Sequence, residues 1–171
     1  MEEKKLTKKK GNDDLYGFID ENGNWVIEPM FEYVSNFEDG IAKVALEVDD
    51  NCFYGLLKSN GTYLLEPKYE EIAKFYQGIT FIKQDGKYGF FSKDGIFLVK
   101  PKFDDVWYFS EGIAKVKVGD KYGYIKKDGS YLVEPKFEYA ENFYEGVALV
   151  GYEGKEGYLD TNGNINEVIE D

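Results

Sequence analysis

Neither arginine nor histidine occurs in the 171 residues, and cysteine occurs once, at Cys52. Each absence removes a class of chemistry. Arginine supplies the planar fork that grips phosphates and guanine edges. Here all 21 basic residues are lysine, set against 33 acids for a formal net charge of −12. That balance argues against nucleic acid or an anionic membrane as the partner. Without histidine, and with one cysteine, zinc has no ligand set, which leaves only hard cations held by oxygen. Cys52 has no imidazole to accept its proton and no second cysteine within the chain, so it reads as a redox-inert, partly buried thiol. No apolar run approaches the roughly 20 residues that span a bilayer, and the first fourteen residues lack the apolar segment of a signal peptide. The expected location is therefore cytoplasmic, or extracytoplasmic if an export signal has been removed.

What the chain has in abundance is rings: 13 Phe, 15 Tyr and 2 Trp, against two Met. An interior built from aromatic and β-branched side chains favours strands over helices. The length suits one domain, expected over residues 15–171. Residues 1–14 carry five lysines and no ring, too little apolar surface to offset the entropy of ordering them, and are expected to form a flexible charged tail.

From Tyr16 onward the sequence repeats. An aromatic–glycine pair recurs at Tyr16-Gly17, Tyr54-Gly55, Tyr88-Gly89 and Tyr122-Gly123, with Glu156-Gly157 in fifth place. A turn dipeptide follows each: Asn22-Gly23, Asn60-Gly61, Asp94-Gly95, Asp128-Gly129 and Asn162-Gly163. Then come a proline (Pro29, Pro67, Pro101, Pro135), an aromatic (Phe37, Phe75, Phe109, Phe143) and a glycine (Gly40, Gly78, Gly112, Gly146). Units therefore start near residues 16, 54, 88, 122 and 156, a period of about 34 residues of the kind that marks stacked arrays.

Backbone chemistry explains these landmarks. Asn-Gly or Asp-Gly between apolar runs predicts a hairpin with positive φ at both turn residues, joining Lys121–Lys126 to Ser130–Glu134 in the fourth unit. Proline has no N–H for a ladder, so the second strand is expected to end at Pro135. An irregular or short helical crossover follows, held down by Phe137 and Phe143, and IAKVKV (Ile113–Val118) then alternates as a third strand. Glycine within the middle strand marks a bulge or a close approach. The four extra residues of the first interval predict an enlarged loop around Val48–Asn51. The final unit has lost its proline and ends polar, as a capping unit does.

With these landmarks the chain resembles the bacterial WG-repeat family, also called KWG repeats, from Tyr16 to about Ile169. Residues 87–116, KYGFFSKDGIFLVKPKFDDVWYFSEGIAKV, match that pattern closely. The tryptophan usual before glycine in the family is tyrosine in four units here and Glu156 in the fifth, while Trp25 and Trp107 lie elsewhere. The resemblance implies a β-rich repeat module, commonly read as a binding surface, and it implies no catalytic residues.

The remaining candidates have plainer readings. Asp20-Glu21-Asn22-Gly23-Asn24 and Asp160-Thr161-Asn162-Gly163-Asn164 place oxygens at alternate positions, as a calcium loop begins, but the glycine falls fourth rather than sixth, so both read as turns. Glu28, Glu66 and Glu134, with Lys100 in the third unit, would form a column in a stacked array; neighbouring Lys68, Lys102 and Lys136 make it a solvated alternating face.

The expected fold is all-β: tandem units of about 34 residues, each a three-stranded antiparallel meander plus crossover, stacked in an open curved array, with a closed propeller-like ring as the alternative. The expected function is a non-enzymatic binding module that needs no cofactor or metal. A protein or peptide partner is expected at the crossover rings Tyr33, Tyr76, Trp107, Tyr108, Tyr139 and Tyr144, since Tyr and Trp are enriched at binding hot spots. The alternatives are a glycan or cell-envelope ligand on the same rings and, as a third class, a hydrolase built on paired carboxylates.

Overall fold

The computed structural model describes residues 5–167; the remainder, including most of the polar end expected to cap the last unit, lies outside the described residues. The chain divides into two compact units, Met1–Ile72 and Ala73–Asp171. Every regular element among the described residues is a β-strand. The first unit holds β1 (Thr7–Lys10), β2 (Tyr16–Ile19), β3 (Trp25–Phe31), β4 (Tyr33–Val34), β5 (Ile41–Val48), β6 (Asn51–Lys58), β7 (Tyr63–Tyr69) and β8 (Glu71–Ile72). The second holds β9 (Ile79–Gln84), β10 (Lys87–Ser92), β11 (Phe97–Phe103), β12 (Asp105–Val106), β13 (Ile113–Val118), β14 (Lys121–Lys126), β15 (Tyr131–Phe137), β16 (Tyr139–Ala140), β17 (Val147–Tyr152), β18 (Lys155–Asp160) and β19 (Ile165–Glu167).

One module recurs. In the sheet β12-β13-β14-β15 the third run IAKVKV pairs along its whole length with the aromatic–Gly strand, Val116 opposite Gly123, and that strand pairs in turn with β15. The crossover adds a two-residue strand of its own, β12, on the outer edge of β13. The same order holds in β4-β5-β6-β7 and β16-β17-β18-β19. Each sheet is open, and the hydrophobic core of each unit lies between successive sheets. Phe90, Val99 and Phe103 of one sheet, for example, meet Val106, Ala114, Val116 and Ile125 of the next. Fully burying a ring such as Phe103 or Phe137 contributes about 1.5–3 kcal/mol. The architecture is all-β tandem repeats of open antiparallel sheets.

Polar contacts between repeats reinforce this packing. The Lys43 ammonium reaches the carbonyl of Ile72 at 3.2 Å, and Lys115 reaches that of Ala140 at 2.9 Å. Asp104 accepts the N–H of Gly119 at 2.8 Å and pairs with Lys87, while Glu138 pairs with Lys121 at 3.2 Å and accepts the N–H of Gly154 at 3.3 Å. Part of the acidity is thus spent on fastening turns.

Four local expectations are corrected. First, β15 does not stop at Pro135 but runs to Phe137, because the register jumps from Tyr124 opposite Val133 to Tyr122 opposite Phe137. Proline sits in that bulge, where no ladder N–H is required of it. Second, the Asp128-Gly129 turn has positive φ only at the glycine (84°). Gly129 N–H donates to Lys126 O and Lys126 N–H to Ser130 O, which describes a three-residue loop ending in a left-handed glycine. Pairs of residues with positive φ at both positions lie instead on either side of the third strands: before them at Asp39-Gly40, Gln77-Gly78, Glu111-Gly112 and Glu145-Gly146, and after them at Asp85-Gly86 and Glu153-Gly154. Third, the extra residues of the first interval make no enlarged loop. They lengthen β5 and β6, which register from Ile41–Lys58 out to Val48–Asn51 and turn on Asp49 and Asp50, both at positive φ. Aspartate tolerates that conformation, so two residues suffice. Fourth, of the irregular or short helical crossover expected, only the helix is absent among the described residues: each crossover holds a two-residue strand, a three-residue irregular stretch and a tight turn.

Thr7–Lys10, inside the stretch expected as a flexible tail, pairs residue for residue with Ile19–Tyr16 as β1. It occupies the place the third strand holds in later modules. Composition concealed this because the strand's lysines rest their ammonium groups on rings contributed elsewhere, Lys9 over Trp25 and Lys10 over Tyr16, while Leu6 packs on the core.

Candidate functional site

In the second unit two successive crossovers, residues 73–78 and 107–112, bring their side chains to one open depression of about 350 Å³, lined by Tyr76, Gln77, Trp107, Tyr108, Ser110 and Glu111, with Phe109 and Asn142. The turns set this geometry. Tyr76 exchanges backbone hydrogen bonds with Ile79 and Ser110 with Ile113, so Gln77 and Glu111 stand at the exposed first corners, at φ of 50° and 52°. Neither glutamine nor glutamate favours that region, and each is held there by the pair of bonds across the turn.

The rings are oriented by their neighbours. Tyr76 and Tyr108 meet edge-to-face at 5.8 Å, and Tyr108 tilts against Phe81 at 5.0 Å. The Tyr108 hydroxyl donates to the carbonyl of Lys74 at 3.2 Å, fixing the ring across two crossovers. Phe109 is buried, 5.0 Å from Phe90, and anchors the segment from below. Trp107 stacks beneath the Lys115 ammonium, 4.2 Å from its ring, and lies 5.9 Å from Tyr122. Burial pulls the Lys115 amine below the ordinary lysine range, against the attraction of Glu141 and Asp105.

The polar groups are partly committed. Ser110 Oγ donates to Phe143 O at 2.8 Å, and Glu111 Oε2 accepts the N–H of Gly146 at 2.9 Å, both bonds reaching into the next repeat. Lys127 donates to Gln77 Oε1 at 3.3 Å. Among the described residues neither Glu111 Oε1 nor the Asn142 side-chain amide has a hydrogen-bond partner.

Of the six rings expected to bind, the structure gathers Tyr76, Trp107 and Tyr108. Tyr76 is 53% exposed and Tyr108 41%. Tyr144 is the most exposed of the six but does not line the depression. Tyr139 is exposed and donates its hydroxyl to Glu141, which raises its pKa. Tyr33 belongs to the other unit, where the Lys43 ammonium lies 5.8 Å from its ring. Sequence reasoning overlooked Gln77, Ser110, Glu111 and Asn142. Their only signal was that the crossover positions they occupy change identity from copy to copy.

The other candidates have structural duties. The Asp20 carboxylate accepts the N–H groups of Asn24 and Asn22, both at 2.9 Å, and Asp160 accepts the Asn164 side-chain amide at 3.0 Å and the N–H groups of Asn164 at 2.8 Å and Asn162 at 2.9 Å. These bonds hold both carboxyls below the usual range. Glu28, Glu66, Lys100 and Glu134 are all exposed on their strands. Cys52, expected to be partly buried, is instead an exposed thiol near the start of β6, opposite Glu47, where the lengthened hairpin carries it away from the core. No helix among the described residues is long and apolar enough to cross a membrane.

No curated protein matches the chain. The WG containing repeat does, four times in tandem, over residues 16–47, 54–88, 88–122 and 122–155. These matches begin at the aromatic–Gly pairs that open each hairpin, and the fifth hairpin falls beyond them. With most of its length matched in register, the chain belongs to the WG containing repeat family.

Proposed function

We propose that this repeat module is a non-catalytic binding domain that recognises a protein or peptide partner at the depression of its second unit. The observation that supports this most is the gathering of Tyr76, Trp107 and Tyr108 from two repeats at one open surface, each ring held by neighbours rather than buried by them. Tyrosine and tryptophan present large rigid contact areas at small entropic cost, which suits them to anchor a partner. An open depression of about 350 Å³ is the size that takes one or two side chains of an extended segment. The net charge of −12 selects for partners that are basic or neutral.

A second reading, glycan binding, draws on the Gln77 and Asn142 amides and the Glu111 carboxylate beside the rings, since amides and carboxylates pair with sugar hydroxyls while rings stack on their apolar faces. One experiment separates the two. The purified chain is panned against a displayed peptide library and, in parallel, against a glycan panel, with Tyr76→Ala as the control bait. Peptide enrichment that disappears with the variant supports the proposal. Binding of glycans alone, lost with the same variant, replaces it with the second reading.

A further inference from the structure

The depression carries an asymmetry that the rings alone do not explain. Glu111 is its carboxylate, placed at the first corner of a two-residue turn where φ is 52°. In the other repeats that corner is Asp39, Gln77 and Glu145, so the turn itself does not demand glutamate. One oxygen, Oε2, takes the N–H of Gly146; the other has no partner among the described residues. The turn bond fixes the carboxylate in place and leaves half of it unused.

The same surface already shows how it handles a cation. The Lys115 ammonium sits 4.2 Å from the Trp107 ring centre and 5.6 Å from that of Tyr122. In the first unit the Lys43 ammonium lies between Tyr33 and Tyr54, at 5.8 and 5.2 Å. Both amines are completed by a carbonyl oxygen of the following repeat. Rings plus one oxygen acceptor is therefore an arrangement in which this fold lodges two of its own cations, Lys43 and Lys115. The depression offers that arrangement to an outside group: the exposed Tyr76 and Tyr108 rings with Glu111 Oε1 as the acceptor.

The geometry points to a cationic side chain, arginine or lysine of a basic peptide segment, as the group seated in this depression, its charge over Tyr76 and Tyr108 and its N–H groups on Glu111 Oε1. This rests on the peptide reading above and narrows it. The chain contains no arginine of its own, and its charge of −12 favours a basic segment over an acidic one.

The test uses the full chain and peptides recovered from the displayed library. Enriched sequences are expected to share one arginine or lysine, and replacing that residue by citrulline or norleucine should weaken binding about tenfold or more. Glu111→Gln keeps an oxygen for the Gly146 N–H and removes the charge. It should weaken the same peptides about tenfold and flatten the salt dependence of binding while leaving the unfolding temperature unchanged. Enriched peptides that lack a common cation, or that lose affinity with Tyr76→Ala but not with Glu111→Gln, would overturn the cationic anchor and leave the peptide reading intact. Failure of any peptide to enrich, with neutral oligosaccharides bound instead, would overturn both.

Discussion

A β-carbon added to Gly123 would lie 2.6 Å from the backbone nitrogen of Pro135 and 2.8 Å from the carbonyl oxygen of Val133. Glycine and proline, twelve positions apart in the repeat, therefore form one device: the bare α-carbon admits the bulge that relieves proline of a ladder bond. The same approach recurs for Gly17 with Pro29, Gly55 with Pro67 and Gly89 with Pro101. Gly123→Ala must displace backbone rather than a flexible side chain, so it should destabilise the protein by about 1–3 kcal/mol. Urea unfolding that shows a lower midpoint at unchanged slope would verify this.

Lys115 fastens one repeat to the next through Ala140 O and the Trp107 ring. Lys115→Met keeps the apolar stem and removes the donor, and the expected loss is about 1–2 kcal/mol. Calorimetric unfolding of the variant measures it. A variant as stable as the parent would show that the ammonium contributes only exposed, screened contacts.

Tyr124 is fully buried, its hydroxyl donating to Glu141 O at 2.6 Å, and burial raises its pKa strongly. With the folded value above the unfolded one, its contribution is complete below about pH 10 and is lost as pH climbs through the folded value. Tyr124→Phe should cost about 1 kcal/mol at pH 8. That deficit should shrink between pH 10 and pH 11, because the variant has no phenol to ionise there. Tyr63, Tyr69, Tyr139 and Tyr152, also raised, are common to both proteins and cancel in the comparison.

Deleting residues 1–11 removes β1 and with it the full-length ladder on β2, together with the contact of Leu6 with the core. The shortened chain should unfold at a lower temperature, with hydrogen exchange accelerated along Tyr16–Ile19. Unchanged exchange there would mark those residues as a tail after all.

The repeat, the hairpins, the aromatic core positions and the bulge at the middle glycine were legible because each recurs with the spacing its backbone role requires. Turn types were not: Asp128-Gly129 and Glu111-Gly112 differ in how many left-handed residues they hold, and that depends on the loop length closed by ladder bonds. The strand at Thr7–Lys10 was hidden because its stabilising partners, Trp25 and Tyr16, lie outside the segment. Half of the candidate site was visible as crossover rings. The rest depended on which side chains adjacent repeats bring together: Tyr76 with Tyr108 and Glu111, but neither Tyr33 nor Tyr139.

The most direct test of the binding account is chemical-shift mapping of the labelled chain during titration with a peptide enriched on it. Shifts concentrated at residues 76–77, 107–111 and 142, and absent from the surroundings of Tyr33 and Tyr139, are the predicted result. Perturbations centred on another face, with those residues unmoved, would contradict it.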